Sequence, residues 1–214
     1  MHSSFRVYYA HSKEDRRGKA MKVFIVYAHP SGDSFTRHVR DSFIRGLEAA
    51  GHTHVVSDLY GMGFITDMSE AEYLREAYYR DDKPIPDDVK AEQEKVNQCD
   101  AIVFIYPVFW TEAPAKLVGW FDRVWTYGFA YGTRAMKQHE KGLVICVTGH
   151  PIQDLNAYGH LASMKTVMLG DRLFDRVKNK DMVVLDDMSR LDMEARKKNW
   201  DRHLKTAYEL GRTV

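Results

Sequence analysis

Apolar residues in this chain fall into short unbroken runs, separated by stretches with helical periodicity. Val23-Phe-Ile-Val-Tyr27, Ala101–Tyr106 and Gly142–Val147 are nearly continuous apolar runs. Runs of that length without polar alternation mark strands covered on both faces, the habit of a parallel sheet. They predict strands over Lys22–Ala28, 101–106 and 142–147. Thr53–Asp58 is half polar (His54, Ser57, Asp58), as a strand at a sheet edge would be, and Met182–Leu185 is a fifth strand. After the first run, Phe35, Val39, Phe43, Leu47 and Ala50 recur every three or four positions and Gly51 follows, which predicts a helix and its stop. Prolines 86 and 114 open two more helices. The first runs to Gln98, and the second places Leu117, Trp120, Phe121, Val124 and Trp125 on one face. Leu161–Phe174 and Met193–Leu210 are the last two. The long connection from Tyr60 to Pro86 holds a short helix at Glu70–Arg75.

Strands alternating with helices predict an α/β fold: a doubly wound five-stranded parallel sheet of order 2-1-3-4-5, with helices on both faces. Such sheets bind ligands beyond the carboxyl ends of the strands, where the order reverses between strands one and three. Three loops meet that condition. Ala28-His-Pro-Ser-Gly-Asp-Ser-Phe35 leads from a strand into a helix, whose first amides have no internal partner and attract an anion. His29 and Ser34 add hydrogen-bonding side chains there, although a histidine in that place can also be purely structural. The loop has too few glycines for a nucleotide P-loop, and no Gly-x-Gly-x-x-Gly follows the strand. The second loop sets Phe109 and Trp110 between Pro107 and Pro114, as a lining for a planar heteroaromatic ligand or as packing for the next helix. The third, Thr148-Gly-His-Pro151, supplies a hydroxyl and a small residue, or is an ordinary turn.

Composition narrows the field. A chain of 214 residues suits one domain, read here as 21–214, with residues 1–20 a leader outside the fold. A formal net charge of +1 gives no reason to expect nucleic acid. No apolar run approaches the roughly 20 residues of a membrane span, so membrane insertion is not expected. Cys99 and Cys146 lie beside or within apolar runs, which suits buried thiols, a reducing compartment and a cytoplasmic location. No metal site is expected.

The segment Phe104-Ile-Tyr-Pro-Val-Phe-Trp-Thr-Glu-Ala-Pro-Ala-Lys-Leu-Val-Gly-Trp-Phe-Asp-Arg123, with Ala28-His-Pro and Ser34-Phe35 before it and Phe129-Ala-Tyr131 after it, resembles the NAD(P)H:quinone oxidoreductases of the flavodoxin-like fold, in their short bacterial form. The resemblance runs from about Met21 to Gly149. It implies a tightly bound FAD or FMN, with NADPH or NADH as electron donor and a quinone or similar acceptor. It implies that His29, Ser34, Phe35 and Thr36 hold the flavin phosphates. Pro107, Val108, Phe109 and Trp110 would line one edge of the ring, and Thr148 and Gly149 the other. Phe109 stands where the family usually has a polar residue, and His150 where it has a second glycine. Phe129 and Tyr131 match substrate-lining residues of a homodimer, with His150 close to the ring. Tyr158 and His160 are the available pair for donating to the reduced acceptor. The aromatic-rich Trp120–Tyr131 stretch is expected at the dimer interface. An alternative within the same resemblance is a flavin-bearing accessory subunit of a potassium-efflux transporter with weak reductase activity.

Overall fold

A strand with no solvent face must find both backbone partners in neighbouring strands. In the computed structural model, which describes residues 19–214, β1 (Lys22–Tyr27), β3 (Ala101–Pro107) and β4 (His139–Val147) meet that demand inside one parallel sheet. β2 (Thr53–Asp58) and β5 (Val177–Leu185) close the edges, giving the order β2-β1-β3-β4-β5. Tyr27 pairs with Ile105, and Pro107 with Val147. The chain therefore leaves β1, β3 and β4 on the same edge.

Alternation along the strands distributes side chains between two cores. Phe24, Val26, Ile102, Phe104, Tyr106, Val144 and Cys146 face one cluster, covered by α3 (Asp87–Gln98) and α4 (Ala115–Val124). Val23, Ile25, Tyr27, Val103, Ile105 and Ile145 face the other, covered by α1 (Phe35–Ala49) and α7 (Met193–Thr213). α1 and α7 pack closely enough that the Ser42 hydroxyl donates to Leu204 O at 2.8 Å. A Cβ at Gly46 would lie 2.0 Å from Tyr208 O, and one at Gly211 would lie 2.1 Å from Phe43 O. Glycine is required at both crossings because backbone fills the space.

A buried carboxylate ties the other face together. Glu92 of α3 has no exposed surface; it accepts from Ser57 Oγ of β2 at 2.9 Å and from Trp120 Nε1 of α4 at 2.8 Å, and Lys95 supplies the opposing charge. Breaking one partner of such a buried group costs far more than the intact set contributes.

The remaining elements depart from the sequence pattern in places. β4 begins three residues before the predicted Gly142, and β5 begins five before Met182. The added part of β5 carries Lys178, Asn179, Lys180 and Asp181; at an edge such residues face solvent while the backbone still pairs. The predicted helix Leu161–Phe174 is instead α6 (His160–Lys165), a π-helical turn at Thr166–Arg172 and a 3-10 turn at Phe174–Arg176. α5 (Ile152–Ala157) is too short for periodicity to show, and Gly159 at φ 74° separates it from α6. In the Tyr60–Pro86 connection, α2 (Glu70–Ala77) starts at a capping box of Ser69 and Glu72. Residues 1–18 of the expected leader lie outside the described residues; Lys19 and Ala20 are exposed.

The aromatic stretch needs a correction. Trp120, Phe121 and Phe129 are buried within the monomer, not displayed on a surface; Trp120 lies 5.8 Å from Phe104 and 4.9 Å from Trp125, ring centre to ring centre. Cys99 and Cys146 are buried free thiols, and burial pushes Cys146 up to about 12. Among the described residues no helix is long and apolar enough to cross a membrane.

Two predictions follow from the packing. Gly46→Ala should lower the unfolding temperature, at a cost on the order of 1–3 kcal/mol, whereas Gly170→Ala, where a Cβ meets nothing within 4 Å, should not; thermal denaturation followed by circular dichroism compares them. His139 opens β4 fully buried, with Nε2 2.9 Å from Val96 O and no partner for Nδ1 among the described residues. Burial holds its pKa below the ordinary 6.5. Unfolding therefore takes up a proton once the pH falls below that value, so acid destabilises the fold. The drop in unfolding temperature between about pH 7.5 and 5.5 should be smaller for His139→Phe than for the native chain.

Candidate functional site

The first loop is organised by its own side chains. Ser34 caps α1: its Oγ accepts from Arg37 N at 3.1 Å while its backbone stays extended. The amides of Phe35 and Thr36, ahead of the first helical hydrogen bond, have no intrahelical acceptor. Ser34 Oγ also lies 3.5 Å from the Tyr27 hydroxyl, so its proton turns either to that oxygen or to an anion placed there. The Ser31 amide donates to His29 Nδ1 at 2.9 Å, and burial lowers the His29 pKa. The same Nδ1 also lies 3.1 Å from Ser31 O, so the loop backbone holds the ring from that nitrogen in either tautomer. The Phe35 side chain faces inward, 4.6 Å from the Trp200 ring, and Thr36 is buried. These two residues therefore offer backbone amides to a ligand rather than exposed side chains.

The second loop leaves β3 at Pro107 and is anchored by Val108 N donating to Val147 O of β4 at 2.8 Å. Phe109 and Glu112 then exchange backbone hydrogen bonds at 2.8 and 2.9 Å around a two-residue turn. Both residues of that turn have positive φ, Trp110 at 51° and Thr111 at 68°. The turn lifts the Trp110 side chain away from the protein: it is 100% exposed, and Phe109 beside it is 45% exposed. Packing of Trp110 on the next helix is thereby excluded; α4 packs on the sheet through its own Trp120.

The third loop leaves β4 one residue after Val147, in register with Pro107. Thr148 is buried and donates through Oγ1 to His150 O at 2.9 Å, so its side chain shapes the loop. Gly149 is exposed, and a Cβ there would meet nothing nearer than Ser189 at 3.7 Å. A side chain there would touch Ser189 without a clash. His150 is exposed. Tyr158 and His160 flank Gly159 at the junction of α5 and α6, with ring centres 5.8 Å apart and both side chains exposed. The structure thus brings that pair together.

The residues expected to line a substrate pocket divide. Phe129 is 6% exposed inside the core. Tyr131 is half-buried and donates from its hydroxyl to Glu76 Oε2 at 2.8 Å, an oxygen that also accepts from Tyr127 N. Burial and that carboxylate push the Tyr131 phenol up to about 12, so it remains a donor. Glu76 was not foreseen from the sequence, nor was the pair formed by Glu112 and Arg172, 60 residues apart, with Nη1 to Oε1 at 3.0 Å. No local pattern marks either contact. The Tyr60–Pro86 insertion is fastened to α4 by Arg123, which binds Glu72 at 2.8 Å, Asp88 at 2.5 Å and Ile65 O at 2.8 Å. It leaves Tyr73, Tyr78 and Tyr79 exposed.

A family model described as a flavodoxin-like fold matches residues 21–208. Among solved structures, the NAD(P)H:quinone oxidoreductase of Methanothermobacter marburgensis is 46% identical with a TM-score of 0.83, covering 89% of this chain and 96% of that one. Among curated proteins, NAD(P)H dehydrogenase (quinone) 1 of Cavia porcellus is 33% identical over 147 residues, 60% of this chain and 53% of its own. A Haemophilus influenzae protein named as an uncharacterized NAD(P)H oxidoreductase is 28% identical over 185 residues, 83% of this chain and 89% of its own. The chain spans about half the length of the fungal and mammalian relatives it matches.

The exposure of Trp110 generates a prediction. Trp110→Ala should change stability by no more than about 0.5 kcal/mol, whereas Trp120→Ala should cost about 3–5 kcal/mol. Denaturant titration of the two variants checks it, and a large loss for Trp110→Ala would refute the placement.

Proposed function

The chain belongs to the flavodoxin-like fold family, and on that premise we propose that it is a flavin-dependent oxidoreductase that passes two electrons from NADH or NADPH to a quinone or similar acceptor. One observation carries the reading. A wholly exposed tryptophan stands on the loop after β3, next in the sheet to the strand whose loop opens an amide-lined helix start. A flavin needs both: an anion site for its phosphate and an aromatic platform for its ring. The names of two relatives matched over most of their own length agree with it.

The residues present fit FAD or FMN. The amides of Phe35 and Thr36, the Ser34 hydroxyl and His29 would hold the phosphate end. Pro107, Val108, Phe109 and Trp110 would support one edge of the ring, and Thr148 and Gly149 the other, where a side chain in place of glycine would touch Ser189. Phe109 brings no hydrogen bond from its side chain, so the polar edge of the ring must be met by backbone amides of this loop. The flavin, when bound, supplies the hydride acceptor and donor, at its N5 position.

The chain's own residues orient the partners and stabilise charge. Nicotinamide and acceptor would occupy in turn the one open face of the flavin ring, so ping-pong kinetics are expected. Reduction of a quinone places negative charge on oxygen, and a hydrogen-bond donor there lowers the barrier. His160, with Tyr158 beside it, is assigned that role, and exposed His150 on the third loop would lie close to the ring. Tyr131, with its proton kept by Glu76, is placed at the acceptor pocket across a homodimer interface. The exposed Tyr73, Tyr78 and Tyr79 on the insertion take over the interface role first assigned to the buried aromatics.

Four measurements test this reading. The purified chain should carry, or take up, a flavin with visible absorption. Anaerobic NADH or NADPH should bleach it, and a quinone should restore it; no bleaching by either nucleotide would overturn the enzyme reading. His160→Ala should slow reoxidation by quinone more than reduction by nucleotide, and equal effects on the two half-reactions would remove His160 from that role. Sedimentation velocity should show a dimer that Tyr78→Arg weakens.

A further inference from the structure

The turn that displays Trp110 is held in an unfavourable shape. Two-residue hairpin turns with positive φ at both central positions are normally built from Asn-Gly or Asp-Gly. Here the two residues are Trp110 at φ 51° and Thr111 at φ 68°. A β-branched residue in that region is a steric outlier, because its branched Cβ crowds the backbone. Such a conformation is strained and persists only where the surroundings over-determine it. An exposed loop with one side chain in solvent has little of its own to impose it.

The restraint comes from outside the loop. Glu112, the residue that closes the turn, directs Oε1 to its neighbour Ala113 N at 2.7 Å and to Arg172 Nη1 at 3.0 Å. The carboxylate is 43% exposed, but the Arg172 side chain is only 12% exposed. Arg172 is itself immobilised. Its guanidinium carbon lies 4.7 Å from the centre of the Phe121 ring, its Nη1 lies 3.3 Å from Met168 Sδ, and its carbonyl accepts from Trp125 Nε1 at 2.8 Å. Arg172 ends the π-helical turn Thr166–Arg172. An α-helix through the same residues would place successive side chains on a different rotation, so the wide turn sets where this guanidinium lies.

We propose that Arg172 is a positioning residue for the cofactor loop: through Glu112 it latches the Trp110–Thr111 turn in its left-handed conformation and so presents the tryptophan ring to the flavin. The proposal rests on the flavin reading above and deepens it. A flavin binding to a preformed platform does not have to supply the strain energy of the turn, so the latch appears in affinity rather than in any chemical step. A guanidinium suits the task because it holds a carboxylate in a fixed direction while its flat face packs on an aromatic ring.

The test uses the full chain. Arg172→Met and Glu112→Gln are each made alone and together with Thr111→Gly, and the unfolding temperature of each variant is recorded. Glu112→Gln changes a half-exposed side chain and keeps a folded variant in hand should Arg172→Met prove unstable. Two readings are taken: the Trp110 indole and Thr111 amide resonances of the flavin-free protein, and the dissociation constants for FAD and FMN. Both single variants should shift those resonances and weaken flavin binding by about tenfold. Adding Thr111→Gly should restore the affinity, since glycine adopts positive φ without strain. A residue that merely supports the fold would not be rescued by a substitution in the turn. Unchanged resonances and affinity in Glu112→Gln, or a loss that Thr111→Gly leaves in place, would overturn the latch. Failure of the native chain to take up either flavin would overturn the flavin reading instead, and the resonances alone would then decide the latch.

Discussion

The structure depends on three strands that have no solvent face. β1, β3 and β4 from Gly142 onward are apolar on both sides, so the polar backbone groups there need a neighbouring strand, and both surfaces need a covering layer. Parallel pairing in the order β2-β1-β3-β4-β5 satisfies the backbone. The two pairs of helices, α1 with α7 and α3 with α4, satisfy the surfaces. Because parallel strands all end on the same edge, the demand that buries the centre of the molecule also collects the loops after β1, β3 and β4 at one place. The two covering layers are held together by different means. On one side α1 and α7 meet backbone to backbone at Gly46 and Gly211. On the other a fully buried carboxylate, Glu92, links β2, α3 and α4.

The site inherits rigidity at its base and carries strain at its tip. Its loops begin at backbone hydrogen bonds that continue the sheet, such as Ala28 N to Ile105 O and Val108 N to Val147 O. A few residues later, the second loop adopts positive φ at two non-glycine positions and exposes a tryptophan completely. The contrast with Trp120, ten residues on and fully buried, shows how differently the fold uses the same side chain. Exposure of a large ring at a sheet edge where polar groups converge is the physical basis of the flavin reading. The Arg172 latch explains how such a turn is held without glycine.

Much of this was legible in the residues, and the failures share one cause. The helix over Phe35–Ala49 and the strands at 22–27 and 101–107 followed within a residue from apolar spacing, since burial on both faces leaves a run and burial on one leaves a stripe. β5 was cut short because an edge strand pairs through its backbone while Lys178, Asn179 and Lys180 face water, and hydropathy does not register backbone pairing. Leu161–Phe174 reads as one helix because its apolar spacing does not distinguish a π turn from an α turn. Phe129 and Trp120 were assigned to an interface because aromatic content says that a surface is covered but not by what; in this structure the monomer's own core covers them.

By itself the sequence determined the layers, the strand order, the edge that carries the site and the three loops on it, because these follow from hydrophobic periodicity and from the handedness of parallel crossovers. Tertiary structure decided which side chains in those loops are free and which are spoken for. Ser34 is occupied as a helix cap, Thr148 as a loop brace and Tyr131 as a partner of Glu76, while Trp110 stands in solvent. Only the fold could bring Arg172 to Glu112 across 60 residues. Periodicity records which face of an element is buried, whereas contacts between distant side chains exist only once the elements are packed.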